Sequence, residues 1–231
     1  MGVLYLLRHG QASFGTDDYD RLSELGRKQA EMLGRELRAR GLVLDIAVSG
    51  SMRRQRDTAS LALAAAGMDL PVEVDPRWDE YDYTGIIERY ADSPELVPTP
   101  AARAAATTAG SSPRVFQALL DVSLAAWMSA DRAESPNSWP AFRDLVWGAF
   151  EGVVERLGSG RAAAVFTSAG PIMAVCSRLL DLPPDGSIAV NRVMANAGIT
   201  KIVHGRSGTS LVSLNEHGHL EAAGREYVTY R

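Results

Sequence analysis

Four short stretches of this 231-residue chain carry side chains able to do chemistry. "LLRHGQAS" ends an apolar run with Arg8, His9 and Gly10, and "SGSMRRQRDTA" surrounds Arg54 with two further arginines. "WDEYDY" flanks Glu80 with Asp79 and Asp82, and "TSAGP" places Ser168 and Ala169 after another apolar run. An imidazole titrates near neutrality, so His9 is able to act as a nucleophile or proton carrier. Guanidinium groups stay charged and offer paired donors to an oxyanion. A carboxyl whose pKa is raised by burial or by like charge donates a proton near working pH. Each piece alone has an ordinary reading: an Arg-His pair at the surface, a solvated "RRQR" helix face, an exposed glutamate. The case for anion chemistry rests on their combination.

The elements around these residues predict how they meet. Val3 to Leu7 is continuously apolar, which suits a strand covered on both faces. "SELGRKQAEMLGRELRARG" reads as a helix capped by Ser23 and ended by Gly41, with Leu25, Met32, Leu33 and Leu37 at helical spacing. "LDIAVSG" reads as a second strand, "SMRRQRDTASLALAAAG" as a helix ending at Gly67, and "PVEVD" as a short strand. "PTPAARAAATTAGSSP" offers no large side chain to bury and reads as a mobile loop. The helices "VFQALLDVSLAAWM" and "WPAFRDLVWGAFEGVVERLG" frame it, the second with Trp139, Phe142, Val146, Phe150, Val153 and Leu157 on one face. "AAAVFT" is then a strand, "PIMAVCSRLLDL" a helix begun at Pro171, and "GITKIVHG" and "TSLVSLN" two strands.

This alternation predicts an α/β three-layer sandwich: a mostly parallel central sheet with helices on both faces. One domain over residues 1–231, with a helical insertion at about 84–140, is the expected organisation. In such sheets ligands sit beyond the carboxyl ends of the strands. Arg8, His9 and Gly10, then Ser49 to Arg54, then Thr167 to Gly170 all follow strands, so three strand ends converge on one rim.

Composition narrows the partners. A net charge of −4 argues against a nucleic-acid surface or a polybasic membrane anchor, since both need a positive excess. The single cysteine, Cys176, forms no intrachain disulfide and lies in an apolar helix, which predicts a buried structural thiol and a cytoplasmic setting. "VLYLL" is too short for a membrane span and lacks a basic region before it. Trp127, Trp139 and Trp147 suit either a core or a homodimer contact.

Together "LLRHGQAS", "LSELGRKQA", "SGSMRRQRDTA" and "WDEYDY", with weaker echoes in "TSAGP" and "SLNEHGHL", resemble the histidine phosphatase superfamily, the phosphoglycerate-mutase-like proteins. The resemblance covers most of the chain outside the insertion. It implies a phosphomonoesterase in which His9 attacks phosphorus and becomes a phosphohistidine, its other nitrogen held as a donor to a backbone carbonyl. It makes Arg8 and Arg54 the phosphate-binding arginines and leaves Arg53 and Arg56 as helix-face charges. Glu80 becomes the acid that protonates the leaving oxygen and later takes a proton from water, with Asp79 and Asp82 as alternative acids. Gly10 is expected to let the backbone approach the ligand, and Gln11 and Ser13 to line the phosphate pocket. The implied partner is a phosphorylated small molecule, with no cofactor and no catalytic metal.

Two departures accompany the resemblance. Ser168 and Ala169 stand where the family carries a second histidine and a glycine. A neutral hydroxyl in place of a charged donor weakens transition-state binding by about 1 to 2 kcal/mol, or roughly ten- to thirtyfold in rate. A slowed phosphatase is expected, with a phosphate-binding protein lacking turnover as the rival. Gly15 also replaces an asparagine common in mutases, and the insertion lacks their basic residues, so mutase activity is less favoured than hydrolysis. His204, His217 and His219 are the remaining histidines, and the "HGH" pair is expected in a turn rather than on a metal. A rim position for Ser168 predicts that Ser168→His changes activity without preventing folding.

Overall fold

The computed structural model describes residues 1–13, 20–90, 113–130 and 135–230. Strand β1 (Gly2–Arg8) is buried along nearly its whole length, and its side chains alternate between two cores. Leu4 and Leu6 join one cluster while Tyr5 and Leu7 join the other. Strand β4 (Ala162–Thr167) divides in the same way, with Ala163 and Val165 on one side and Ala164 and Phe166 on the other. Successive side chains of a strand point to opposite faces, so a continuous apolar run requires a helical layer on each side.

Helices α1 (Glu24–Ala39) and α2 (Arg53–Ala66) form one layer, supplying Leu33, Leu37, Ala59 and Leu63. Ser23 caps α1 as expected, its Oγ accepting the Gly26 N–H at 3.0 Å. After β2 (Ile46–Ser49), β3 (Val72–Val74) and α3 (Tyr83–Tyr90) come α4 (Pro113–Ser129) and α5 (Trp139–Leu157). The opposite layer is built from α5 and α6 (Ala169–Leu179), with Phe150, Val153, Ile172 and Met173 in its core. Cys176 is fully buried there, and burial pushes its thiol up to about 12.

The chain closes with α7 (Pro184–Arg192), β5 (Ile199–Gly205), β6 (Gly208–Glu216) and the short α8 (Gly218–Glu221). The sheet order is β3-β2-β4-β1-β5-β6. The first four strands are parallel, and β5 and β6 add an antiparallel edge beside β1. This is the expected three-layer sandwich with a largely parallel sheet.

Three local features refine or add to the expectations. Helix α6 starts at Ala169, two residues before Pro171, because a first-turn N–H has no intrahelical partner and proline there loses nothing. Helix α7 follows Pro183, with Pro184 at its first position, where a fixed φ initiates a helix rather than breaking it. Trp127 and Trp139 are only 2% and 6% exposed and pack with Tyr81 and Phe142, so they belong to a core rather than a subunit contact. Trp147 is covered by Arg178, whose guanidinium carbon lies 4.5 Å from its ring. The loop expected at "PTPAARAAATTAGSSP", apart from Pro113, and Gly15 lie outside the described residues. Among the described residues no helix is long and apolar enough to cross a membrane.

Candidate active site

Arg8 and Thr167 are paired in register at the ends of β1 and β4, so His9 and Ser168 are the next residues out on adjacent parallel strands. The His9 N–H donates to the Thr167 carbonyl at 2.9 Å and carries the ladder one step further. Ser49 ends β2 level with Phe166, which brings the start of α2 to the same rim. The three strand ends meet as the α/β pattern requires.

His9 is 4% exposed and its tautomer is dictated by its neighbours. Nδ1 lies 2.7 Å from the Gly10 carbonyl, which only accepts, so Nδ1 carries the proton. Nε2 keeps its lone pair and accepts Arg54 Nε–H at 3.1 Å. Burial, Arg54 and Arg8 hold its pKa well below 6.5, so the ring is neutral at neutral pH.

The two arginines are anchored on opposite sides. Arg54, buried at the start of α2, also donates Nη1 to Asp20 Oδ1 at 2.7 Å. Arg8 donates Nη1 to the carbonyls of Met194 and Tyr230, the latter at 3.0 Å, so the carboxyl-terminal segment holds it. Arg53 and Arg56 are exposed, and Arg53 pairs with Asp57 at 3.6 Å on the helix surface.

The three carboxylates of "WDEYDY" separate clearly. Asp79 accepts from both the N–H and the hydroxyl of Ser51, and Asp82 accepts the Gly85 N–H at 3.0 Å at the start of α3. Glu80 alone turns to α6, where Oε1 accepts the Gly170 N–H at 3.0 Å. Burial raises its pKa above 4.5, although Arg54, the Gly170 N–H, Arg8 and the Tyr81 N–H pull it down. Glu80 and Tyr81 also line a cleft of about 250 Å³ walled by Ile86, Trp127, Phe142 and Leu145.

Ser168 occupies the N-cap position of α6 but makes no side-chain cap bond. It is fully buried and accepts Gln55 Nε2–H at 2.8 Å, which corrects the expectation of a solvent-facing rim. An imidazole there meets the Gln55 amide rather than water. Ala169 is 6% exposed, packed in the core at the start of α6, with its side chain among apolar neighbours.

Gly10, Gln11 and Ser13 each make contacts that hold the loop after β1. A Cβ on Gly10 would lie 2.2 Å from the Gly26 carbonyl oxygen, so the approach of α1 is by itself enough to require glycine there. Gln11 donates its N–H to Gln29 and accepts the Ser23 hydroxyl through Oε1, both at 2.8 Å. The Ser13 N–H donates to the Arg21 carbonyl at 2.8 Å.

The other histidines stay away from His9. His204 lies opposite Gly2 at the far end of β1 and contacts Thr209 Oγ1 at 2.8 Å. His217 Nδ1 lies 2.6 Å from the Asn215 carbonyl, and His219 is mostly buried against the Ala197 backbone. Among the described residues no His, Cys, Asp and Glu group is arranged to hold a metal ion.

Several residues that position the site carry no motif in sequence. Thr58 accepts the Gly10 N–H at 3.1 Å and donates to the Arg54 carbonyl at 2.7 Å. Asn196 donates Nδ2–H to the His9 carbonyl at 3.2 Å. The available signal was on α2, where polar Gln55 and Thr58 share the buried face with Ala59 and Ala62. A polar residue at a core position of an amphipathic helix needs a specific partner.

The chain is similar to known proteins along most of its length. Residues 4–118 and 118–217 match the model of the histidine phosphatase superfamily (branch 1). A 2,3-bisphosphoglycerate-dependent phosphoglycerate mutase of Methylobacterium sp. (strain 4-46) is 37% identical over 89 residues, which are 35% of this chain and 42% of the mutase. The chain thus spans about two fifths of the length of the curated relatives it matches. A mycobacterial glucosyl-3-phosphoglycerate phosphatase superposes with a TM-score of 0.64 at 23% identity, covering 93% of this chain and 99% of that one. A phosphoglycerate mutase from Bacillus anthracis superposes with a TM-score of 0.65 at 19% identity over 94% of each chain. At these identities the superpositions establish a shared fold. With the family match running from β1 to the end of β6, the chain belongs to branch 1 of the histidine phosphatase superfamily.

Proposed function

We propose that this protein hydrolyses phosphomonoesters of small molecules through a phosphohistidine on His9. The observation that carries the reading is the neutral, Nδ1-protonated His9 ring, whose Nε2 lone pair faces the Arg54 guanidinium in a buried setting. A ring oriented by a carbonyl on one nitrogen is a nucleophile on the other. Arg54 and Arg8 supply the charge that phosphoryl transfer needs, since that reaction depends mainly on positioning and electrostatic stabilisation.

In the first step Nε2 attacks phosphorus, the bond from phosphorus to the ester oxygen breaks, and protonated Glu80 gives its proton to that oxygen. In the second step Glu80 takes a proton from water as the water oxygen attacks phosphorus. The bond from phosphorus to Nε2 then breaks, releasing inorganic phosphate and restoring His9 and Glu80. The raised pKa of Glu80 and the structural bonds that occupy Asp79 and Asp82 support its assignment as the acid. The aromatic cleft beside Glu80 suits the alcohol of the ester.

A mutase reading has less support. Among the described residues lining that cleft Arg89 is the one cation, against Asp79, Glu80 and Asp82, which disfavours a second anionic group on the substrate.

The test is turnover of 4-nitrophenyl phosphate by the wild type beside His9→Ala and Glu80→Gln. The reading expects hydrolysis by the wild type, none above background for His9→Ala, and a loss of about 10²-fold or more for Glu80→Gln. A wild type no faster than His9→Ala overturns it in favour of a phosphate-binding protein without turnover.

A further inference from the structure

Gln55 sits in the first turn of α2 next to Arg54, and its side chain is fully buried. Its amide orientation is settled by its partners. Nε2 donates to the Trp78 carbonyl at 3.1 Å, a group that only accepts, while Oε1 accepts the Met52 N–H at 3.3 Å. The remaining Nε2–H is therefore the one that reaches Ser168 Oγ at 2.8 Å, and the serine is the acceptor in that bond.

This leaves the Ser168 hydroxyl hydrogen to be directed elsewhere. Among the described residues the Ser168 side chain bonds Gln55 alone, as an acceptor, and the residue is fully buried. A buried hydroxyl donor left unmatched is costly, so a position like this is built for an acceptor that arrives with a ligand. Ser168 directly follows Thr167, level with His9 on the adjacent strand. Glu80 accepts the N–H of Gly170 two residues along, so Ser168 lies in sequence between the strand end beside His9 and the partner of Glu80.

We propose that Gln55 is a positioning residue that holds Ser168 as a hydrogen-bond donor to the transferring phosphoryl group. The inference rests on the phosphatase reading above. Ser168 Oγ accepts from Gln55 and donates to a phosphoryl oxygen, so two neutral groups in series hold that oxygen. The Trp78 carbonyl that Gln55 also reaches accepts the Thr167 hydroxyl at 2.6 Å, so it stays paired when the Gln55 amide is removed.

A double-mutant cycle of Ser168→Ala and Gln55→Met tests the pair, because methionine keeps the volume of glutamine and removes its amide. With 4-nitrophenyl phosphate each single variant is expected to lower kcat about three- to tenfold, the range for one neutral hydrogen bond, and to raise KM in step with its weaker phosphate binding. The double variant is expected to fall no lower than Ser168→Ala, because Gln55 acts through the serine. Multiplying losses, or a Gln55→Met kcat equal to wild type, overturns the proposal. If Gln55→Met fails to fold, Gln55→Asn replaces it, since the shorter side chain does not reach Ser168. The same four proteins are titrated with inorganic phosphate, a readout that does not depend on turnover. Weaker binding in both singles without further loss in the double supports the pair even if the wild type proves no faster than His9→Ala. Equal affinities in all four overturn it.

Discussion

Glu80 Oε1 lies 3.0 Å from the Gly170 nitrogen, and a Cβ built on Gly170 would lie 2.0 Å from that same oxygen. The carboxylate therefore rests in space that only glycine leaves open. Gly170→Ala is expected to push Glu80 off its N–H partner and lower kcat by roughly ten- to a hundredfold, short of the full value of a general acid. Comparing 4-nitrophenyl phosphate with an alkyl phosphate checks the cause. The alkyl ester, with the poorer leaving group, is expected to suffer more, and equal losses on both would point to a fault other than misplacement of the acid.

The pH profile follows from two opposite shifts. His9 must be neutral to attack, and its pKa lies well below 6.5; Glu80 must be protonated to donate, and its pKa lies above 4.5. Activity is expected to rise as pH falls from neutrality towards the Glu80 pKa, and to collapse only where His9 takes up a proton. In Glu80→Gln the residual rate is expected to lose the alkaline decline. A profile of kcat/KM for both proteins reads this directly, and an alkaline limb retained in Glu80→Gln would assign it to another group.

Burial of Ser168 against Gln55 sets what introducing an imidazole there does. Ser168→His alone is expected to cost about 1 to 3 kcal/mol by overpacking. Adding Gln55→Ala clears the room and is expected to recover most of that loss. Thermal melts of the single and double variants measure it; a single variant as stable as wild type would show that α6 yields without help from Gln55.

His219 links stability to pH outside the site. Burial lowers its pKa from 6.5 to about 4. Below pH 6.5 the unfolded chain binds a proton that the folded protein refuses, so stability is whole above that value and falls as pH drops to about 4. The total is about 3 kcal/mol at most. Denaturant unfolding of the wild type and His219→Leu between these values checks it, with a shallower acid decline expected for the variant.

The chemistry-bearing residues were legible in sequence because strand and helix periods are local, and a strand that runs apolar to its end delivers the next residues to the rim. Arg8, His9 and Arg54 are brought together on that ground, and Ser23 caps its helix as its position before the apolar pattern implies. Pro171 marked the start of α6 to within two residues, whereas α7, opened by Pro184, was not read from the sequence because it is short and lacks a clear apolar stripe.

Amino-acid order by itself determined the layered architecture, the rim and the kinds of side chain gathered on it. Only the tertiary structure decided which of three neighbouring carboxylates turns to α6, that Gly10 answers to α1, and that Ser168 is buried under an amide. Those outcomes depend on contacts between residues far apart in the chain, 113 positions for Gln55 and Ser168 and 90 for Glu80 and Gly170. Periodicity places a side chain on a face of its own element, whereas a hydrogen-bond partner is selected only when two elements have packed and brought donor and acceptor within reach.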